Sequence, residues 1–242
     1  MKIGIIGDIH GNLDALLAVL EALDSVSVDA ILCTGDIVGY GACPRECIDI
    51  IRELEIPCAQ GNHDEYTSQI GQDWLIQPDA RTVIQWNQEV LPDTYIEWLA
   101  ALPRVVEFEG VEILHSSHVW WPEWPYVIND RTAVENFLFQ ESRLSFNGHS
   151  HVPLCVSHQP GKRPQLELLR NMFLPRKQRL LIGVGSVGQP RDGDPRTTCV
   201  VYDSHEDAIR ILRVAYDIPA AQQRIRQAGL PEELANRLAV GR

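Results

Sequence analysis

The chain has 242 residues, a length of one to two domains. Hydrophobic residues make up 45% and charged residues 22%, which excludes a disordered or fibrous protein. The 21 basic residues stand against 33 acidic ones, a net charge of −12, which argues against a general DNA- or RNA-binding protein with its basic face.

Strand and helix signals alternate from the start. Lys2 to Ile6 is a short apolar run ending at Gly7 and reads as a buried strand. Leu13, Leu16, Leu17, Leu20 and Leu23 then recur at helical spacing. Ala30 to Thr34 reads as a second strand, and Pro44 opens a helix running to about Leu54. Pro57 to Gln60 reads as a third strand, stopping at Gly61. A βαβαβ start implies a parallel sheet. Residues from Pro78 to Ala101 look helical, with Pro92 starting a second helix. Arg104 to Phe108 and Val111 to Leu114 flank Glu109-Gly110 as a hairpin. An aromatic, proline-rich loop follows, from Trp120 to Tyr126. The second half reads as strands at 144–147, 152–157, 165–169, 179–184, 198–203 and 208–214. Two helices close the chain, near 219–228 and 231–239. One domain over residues 1–242, built on two sheets with the C-terminal helices 217–242 packed on it, is the expected organisation.

No run of about 18 apolar residues appears, so no membrane span is expected. The N-terminus reaches Asp8 too soon for a signal peptide. Cys33, Cys43, Cys47, Cys58, Cys155 and Cys199 are scattered, with no C-x-x-C pair. Reduced thiols and a cytoplasmic protein are expected.

The chemistry concentrates at strand tips. Three early segments end in glycine followed by metal-ligand residue types: Gly7-Asp8-Ile9-His10-Gly11, Gly35-Asp36-Ile37-Val38-Gly39 and Gly61-Asn62-His63-Asp64. Two later ones are Ile113-Leu114-His115 and Asn147-Gly148-His149-Ser150-His151. In open α/β sheets, ligands gather beyond the carboxyl ends of the strands, so these tips should face one site. A phosphoester repels hydroxide, and two metal ions held close together can clamp the phosphoryl oxygens and activate water. Such ions need a bridging carboxylate with mixed oxygen and nitrogen ligands. Strand alternation should bring Asp8 and His10 to one face, and His149 with His151 likewise. Asp36 is the natural bridge, Asn62 a neutral oxygen ligand and His115 an imidazole. Taken singly, each residue also reads as an ordinary turn or cap residue, and Asp14 as an exposed acid of a first helical turn.

The ordered set Gly-Asp-x-His-Gly, Gly-Asp-x-Val-Gly, Gly-Asn-His-Asp, His and Gly-His-x-His resembles the calcineurin-like metallophosphoesterases. It looks most like their small bacterial and archaeal branch with phosphodiesterase-type members. Gly185 to Arg191 and the two C-terminal helices look like that branch as well, and the resemblance covers nearly the whole chain. It implies a four-layer α/β/β/α sandwich of two mixed sheets flanked by helices. It further implies that Asp8, His10, Asp36 and His151 bind one metal, and that Asp36, Asn62, His115 and His149 bind the other. His63 matches the family's catalytic histidine, which stabilises the transition state or protonates the leaving oxygen. Asp64 would orient His63, and a metal-bridging hydroxide would be the nucleophile. The two ions stay open among Mn²⁺, Fe, Zn²⁺, Co²⁺ and Ni²⁺.

Departures narrow the reading. Gly39 and Tyr40 stand where protein phosphatases of the family carry an Asp-Arg pair. His118 competes with His115 as ligand, and His115 is preferred because it ends the strand. Arg191 is a candidate substrate-phosphate contact, with ion pairing to Asp192 or Asp194 as the alternative. Trp121 is a candidate for stacking on a nucleobase. The expected activity is a phosphodiesterase acting on a small phosphoester, a nucleotide being one candidate. Alternatives are a phosphomonoesterase, a protein Ser/Thr phosphatase, a dinucleoside polyphosphate hydrolase or an inactive metal-binding scaffold. No stable nucleic-acid binding and no membrane partner is expected, and a homo-oligomer stays open.

Overall fold

A computed structural model describes residues 1–72, 74–119 and 124–242. Two mixed sheets lie face to face. The first has the order β2-β1-β10-β11-β8, built from β1 (Lys2–Ile6), β2 (Ala30–Cys33), β8 (Met172–Phe173), β10 (Thr197–Asp203) and β11 (Ala208–Val214). The second has the order β3-β4-β5-β9-β6-β7. Its strands are β3 (Val105–Phe108), β4 (Val111–Leu114), β5 (Leu144–Asn147), β6 (Pro153–His158), β7 (Gln165–Leu168) and β9 (Arg179–Val184). Strands β1 and β2 are parallel, and so are β4, β5 and β9.

Alternation along each strand sorts the apolar side chains into layers. In β10, Val200 and Tyr202 point between the sheets, while Cys199 and Val201 point outward. In β9, Leu180, Ile182 and Val184 point inward and Leu181 outward. The inner layer, with Phe146 fully buried, glues the sheets together. Outside the first sheet lie α1 (Leu13–Ser25), α2 (Pro44–Glu53) and α5 (Asp93–Ala100), which bury Leu16, Ile48 and Leu99 against Ile6 and Cys33. Outside the second lies α6 (Asp130–Phe139), with Ala133 and Phe137 against Leu181. Helix, sheet, sheet, helix is the expected four-layer sandwich. A further cluster joins α4 (Pro78–Val90) to α7 (Ile218–Gln227) and α8 (Glu232–Leu238) through Val83, Ile225 and Leu234.

Several local expectations need correction. Pro57 to Gln60 is not a strand but a single parallel bridge, Cys33 to Cys58. Gln60 turns its N–H away to the Pro103 carbonyl at 2.7 Å, which ends the ladder. The segment after it is a helix, α3 (Asn62–Ser68), which was not anticipated. Helix α6 was not anticipated either, although Asn129 caps it by accepting the Thr132 N–H. Its exposed Val134 and Leu138 hide the amphipathic pattern. Asp14 is half-buried, paired with Arg224 at 3.0 Å.

Candidate metal centre

The parallel strands of both sheets end on one edge, and their trailing loops meet there. The loops after β1 and β2 carry Asp8, His10 and Asp36. Those after β4 and β5 carry His115, His149 and His151, and α3 opens with Asn62, His63 and Asp64. Strand alternation does not align these pairs as expected. Asp8, His10, Asp36, His149 and His151 all lie beyond strand ends with φ between 50° and 65°. This left-handed region is rare for residues with a Cβ, least so for Asp, Asn and His, and such strain collects at functional sites. The loops hold each other in place. His149 donates its N–H to the Asp8 carboxylate at 2.9 Å, and His63 donates its N–H to Asp36 Oδ1 at 2.8 Å. A Cβ at Gly148 would strike the Asp8 carboxylate, so only glycine admits this approach.

Two groups of ligand atoms form, and Asp36 belongs to both. Asp8, His10, Asp36 and His151 make the first; Asp36, His115 and His149 make the second. In the first, His151 Nε2 lies 3.2 Å from Asp8 Oδ1, and His10 Nε2 lies 3.6 Å from Asp36 Oδ2. In the second, His115 Nε2 lies 3.3 Å from Asp36 Oδ2, 3.2 Å from His149 Nδ1 and 3.0 Å from Asn62 Oδ1. All these residues are buried.

The far side of each imidazole decides its tautomer. A backbone carbonyl only accepts, so the ring nitrogen facing it carries the proton. His10 Nδ1 faces the Val38 carbonyl at 3.0 Å, and His151 Nδ1 faces that of Gln189 at 2.6 Å. His115 Nδ1 faces the Thr34 carbonyl at 3.0 Å, and His149 Nε2 that of Trp124 at 2.8 Å. Each remaining nitrogen therefore turns toward the cluster. Burial pushes His10 and His149 well below the ordinary histidine range and keeps them neutral. Burial disfavours charge on His115 too, but Asp36 and Asp8 carry it up to about 9. A cation would replace that proton. Carboxylate, imidazole and amide donors whose outer nitrogens are anchored are the donor set of a divalent transition-metal site. The residues fit the metal.

His63 and Asp64 part company. The His63 ring packs edge-on to His10 at 4.8 Å, and its buried Nδ1 has no partner among the described residues. Burial pushes it down to about 4. Asp64 does not reach that ring, contrary to expectation. Its carboxylate accepts the N–H groups of Asp36 at 2.8 Å, Ile37 and Gly61 at 2.9 Å, and Val38 at 3.3 Å. It organises the Asp36 loop and caps α3. Burial and the nearby Asp36 charge push it up to about 7.

Beside the cluster opens a cavity of about 430 Å³. It is lined by Asp36, Asn62, His63, His149 and His151, and by Tyr40, Tyr66, Trp124, Tyr126 and Arg191. The Arg191 guanidinium donates to Gln189 Oε1 at 2.9 Å and lies against Tyr40. Its two acidic neighbours are engaged elsewhere, Asp192 with Arg213 and Asp194 with Arg196.

The family model of the calcineurin-like phosphoesterase superfamily domain matches residues 1–207. The chain belongs to that superfamily. An uncharacterized protein of Methanocaldococcus jannaschii is 37% identical over 99% of this chain and 98% of its own length. The crystal structure of a metallophosphoesterase from Sphaerobacter thermophilus is 37% identical with a TM-score of 0.85, covering 100% of this chain and 99% of that one. A hypothetical protein from Pyrococcus horikoshii shares the fold at a TM-score of 0.78 and 19% identity, over 100% of this chain and 98% of its own.

In this calcineurin-like phosphoesterase, His115 rather than His118 turns to the cluster. His118 is held away by Glu112 at 2.8 Å and Asn136 at 3.1 Å. Trp121 lies outside the described residues. Sequence reasoning missed the carbonyl anchors, which no side-chain pattern reveals. It named Tyr40 only as a departure from the protein phosphatases and Tyr126 only as the end of the aromatic loop, although aromatic residues in ligand-bearing loops were the available signal. The Tyr126 ring stacks on His149 with centroids 4.0 Å apart. The loop at Gly185–Arg191 serves as scaffolding: Ser186 Oγ and the Gly188 N–H both donate to the Asp8 carbonyl, at 2.9 and 2.8 Å.

Proposed function

We propose that this protein is a phosphoester hydrolase using two divalent metal ions, and that it acts on phosphodiesters. The observation that carries this reading is the pair of ligand groups sharing Asp36 at the floor of an open cavity. Asp8, His10, Asp36 and His151 would hold one ion; Asp36, Asn62, His115 and His149 the other. Bound there, the ions supply Lewis acidity and an activated water at neutral pH. The rest falls to the chain. Asp64 keeps the Asp36 loop in place, and the carbonyl anchors keep the imidazoles aimed. His63 lines the cavity as a neutral imidazole and donates a hydrogen bond where charge grows in the transition state. Arg191 contacts the substrate phosphate.

Two features favour a diester. Among the described residues lining the cavity, Arg191 is the one cationic side chain, which suits a singly charged phosphate better than a dianion. Tyr66, Trp124 and Tyr126 add an aromatic wall for a second ester group, a nucleoside being one fit. The six cysteines are all free and buried, in keeping with a reducing, cytoplasmic setting. Among the described residues no helix is long and apolar enough to cross a membrane.

The test is a paired assay on chelator-stripped protein, with bis(p-nitrophenyl) phosphate and p-nitrophenyl phosphate, before and after Mn²⁺. Metal-restored cleavage favouring the diester is expected. Preference for the monoester would replace this reading with a phosphomonoesterase, and cleavage of neither by metal-loaded protein would favour a scaffold.

A further inference from the structure

Tyr40 stands where the metal-ligand cluster meets the C-terminal helices. Its ring centroid is 4.6 Å from those of His10 and His63. The Arg191 guanidinium lies 5.6 Å above it. Together with Ala42 and Tyr216, Tyr40 also packs against the apolar cluster of Val83, Ile225, Leu234 and Leu238. Helices α7 and α8 supply most of that cluster, and they lie outside the residues the superfamily model matches.

The same helices reach the Arg191 side. Gly193 donates its N–H to the Gly241 carbonyl at 3.0 Å, tying the loop after Arg191 to the end of the chain. Asn12 Nδ2 donates to the Gly188 carbonyl at 2.9 Å and to the Tyr216 hydroxyl at 3.3 Å. Arg224 of α7 pairs with Asp14 of α1 at 3.0 Å. Residues 216–241 thus touch both flanks of one cavity wall.

We infer that Tyr40 and Arg191 form a clamp for the oxygens of a phosphoryl group, and that α7 and α8 hold this clamp in register with the metal ligands. This rests on the phosphoester reading above. Both side chains line the same cavity as His149 and Asp36. Arg191 has no carboxylate within ion-pairing distance among the described residues, and a planar guanidinium matches phosphate oxygens in bidentate fashion. The Tyr40 phenol is an O–H donor at neutral pH. A phosphoryl group seated on the cluster would then meet these two donors beside the metal ligands.

Calorimetric titration of the Mn²⁺-loaded protein with inorganic phosphate tests the clamp without any ester cleavage. Tyr40→Phe, which keeps the ring, should weaken phosphate binding about tenfold, and Arg191→Gln by at least that much, with metal stoichiometry unchanged. Leu234→Ala, and the milder Ile225→Val, should weaken it about threefold or more at temperatures where both are fully folded. Phe137→Leu, a core change under α6 far from the clamp, should leave it as in the parent protein. Unchanged affinity in Tyr40→Phe would overturn the clamp. Unchanged affinity in Leu234→Ala and Ile225→Val, with only lowered Tm, would overturn the role of the helices. A parent protein that binds phosphate through Tyr40 yet cleaves neither nitrophenyl ester would support the clamp and overturn the hydrolase reading.

Discussion

His10 and His151 face each other through their Nε2 atoms at 3.0 Å, while each Nδ1 faces a backbone carbonyl. Neither Nε2 carries a proton in that arrangement, so two lone pairs and the Asp8 carboxylate converge. A cation relieves the repulsion, and metal binding therefore couples to folding. With free metal at about a hundred times its Kd, the native state gains about 2.7 kcal/mol. For a chain of this size that is a rise in Tm of about 5–10 °C. Thermal melts of chelator-treated protein, with and without Mn²⁺, Fe²⁺, Zn²⁺, Co²⁺ or Ni²⁺, check this. No rise with any of them would count against the site.

Asp36 closes both ligand groups, whereas His149 belongs to one. Asp36→Ala should therefore lose nearly all bound metal, and His149→Ala about half. Metal analysis after gel filtration at limiting free metal separates the two. Equal losses in both variants would contradict a shared carboxylate.

His63 contributes no atom to either ligand group, yet it lines the cavity with a nitrogen that has no partner among the described residues. His63→Ala should keep its metal and lose at least about tenfold in kcat, the lower end of what a positioned donor supplies. Full activity in that variant would overturn its proposed role.

Asp64 acts on Asp36, not on its own neighbour His63. Four backbone N–H groups converge on its carboxylate, and an amide can answer only some of them. Asp64→Asn should cost about 2–4 kcal/mol of stability. It should weaken metal binding about 10–100-fold, as loss of a residue that orients a ligand does. At saturating metal, kcat should stay within a few-fold of the parent. A collapse of kcat with normal metal affinity would restore the older idea that Asp64 serves His63.

Much of this was legible in the residues. The early strands and helices announced themselves through apolar periods, and the ligand types through their place after strand-ending glycines. What escaped has physical causes. Left-handed backbone at Asp8, His10 and Asp36 depends on neighbouring loops that press in from other strands. Helix α3 buries Asn62, His63 and Asp64, so it shows no apolar stripe to read. Asp64 contacts Asp36 across 28 positions of sequence, through main-chain atoms that are the same in every residue. Tyr40 gains its meaning only from helices almost two hundred residues later.

Glu112 holds His118 away from the centre and offers a last test, through pH. Burial works against its charge, but hydrogen bonds from Ser142, His118 and Ser145 outweigh that and hold the carboxyl below its ordinary range. A depressed carboxyl contributes stability above its unfolded pKa and loses that contribution as pH falls through the folded value. Glu112→Gln should therefore be less stable than the parent at pH 7, by about 1–2 kcal/mol. The gap should begin to close as pH drops below about 4, the ordinary glutamate range, and vanish once the parent's depressed carboxyl has taken up its proton. Denaturant melts of both proteins across that window check the sign. A gap that stays constant down to low pH would mean that packing, not charge, makes Glu112 matter. His118 freed in this variant should not displace His115, whose Nδ1 stays anchored on the Thr34 carbonyl. Metal content at pH 7 should accordingly match the parent.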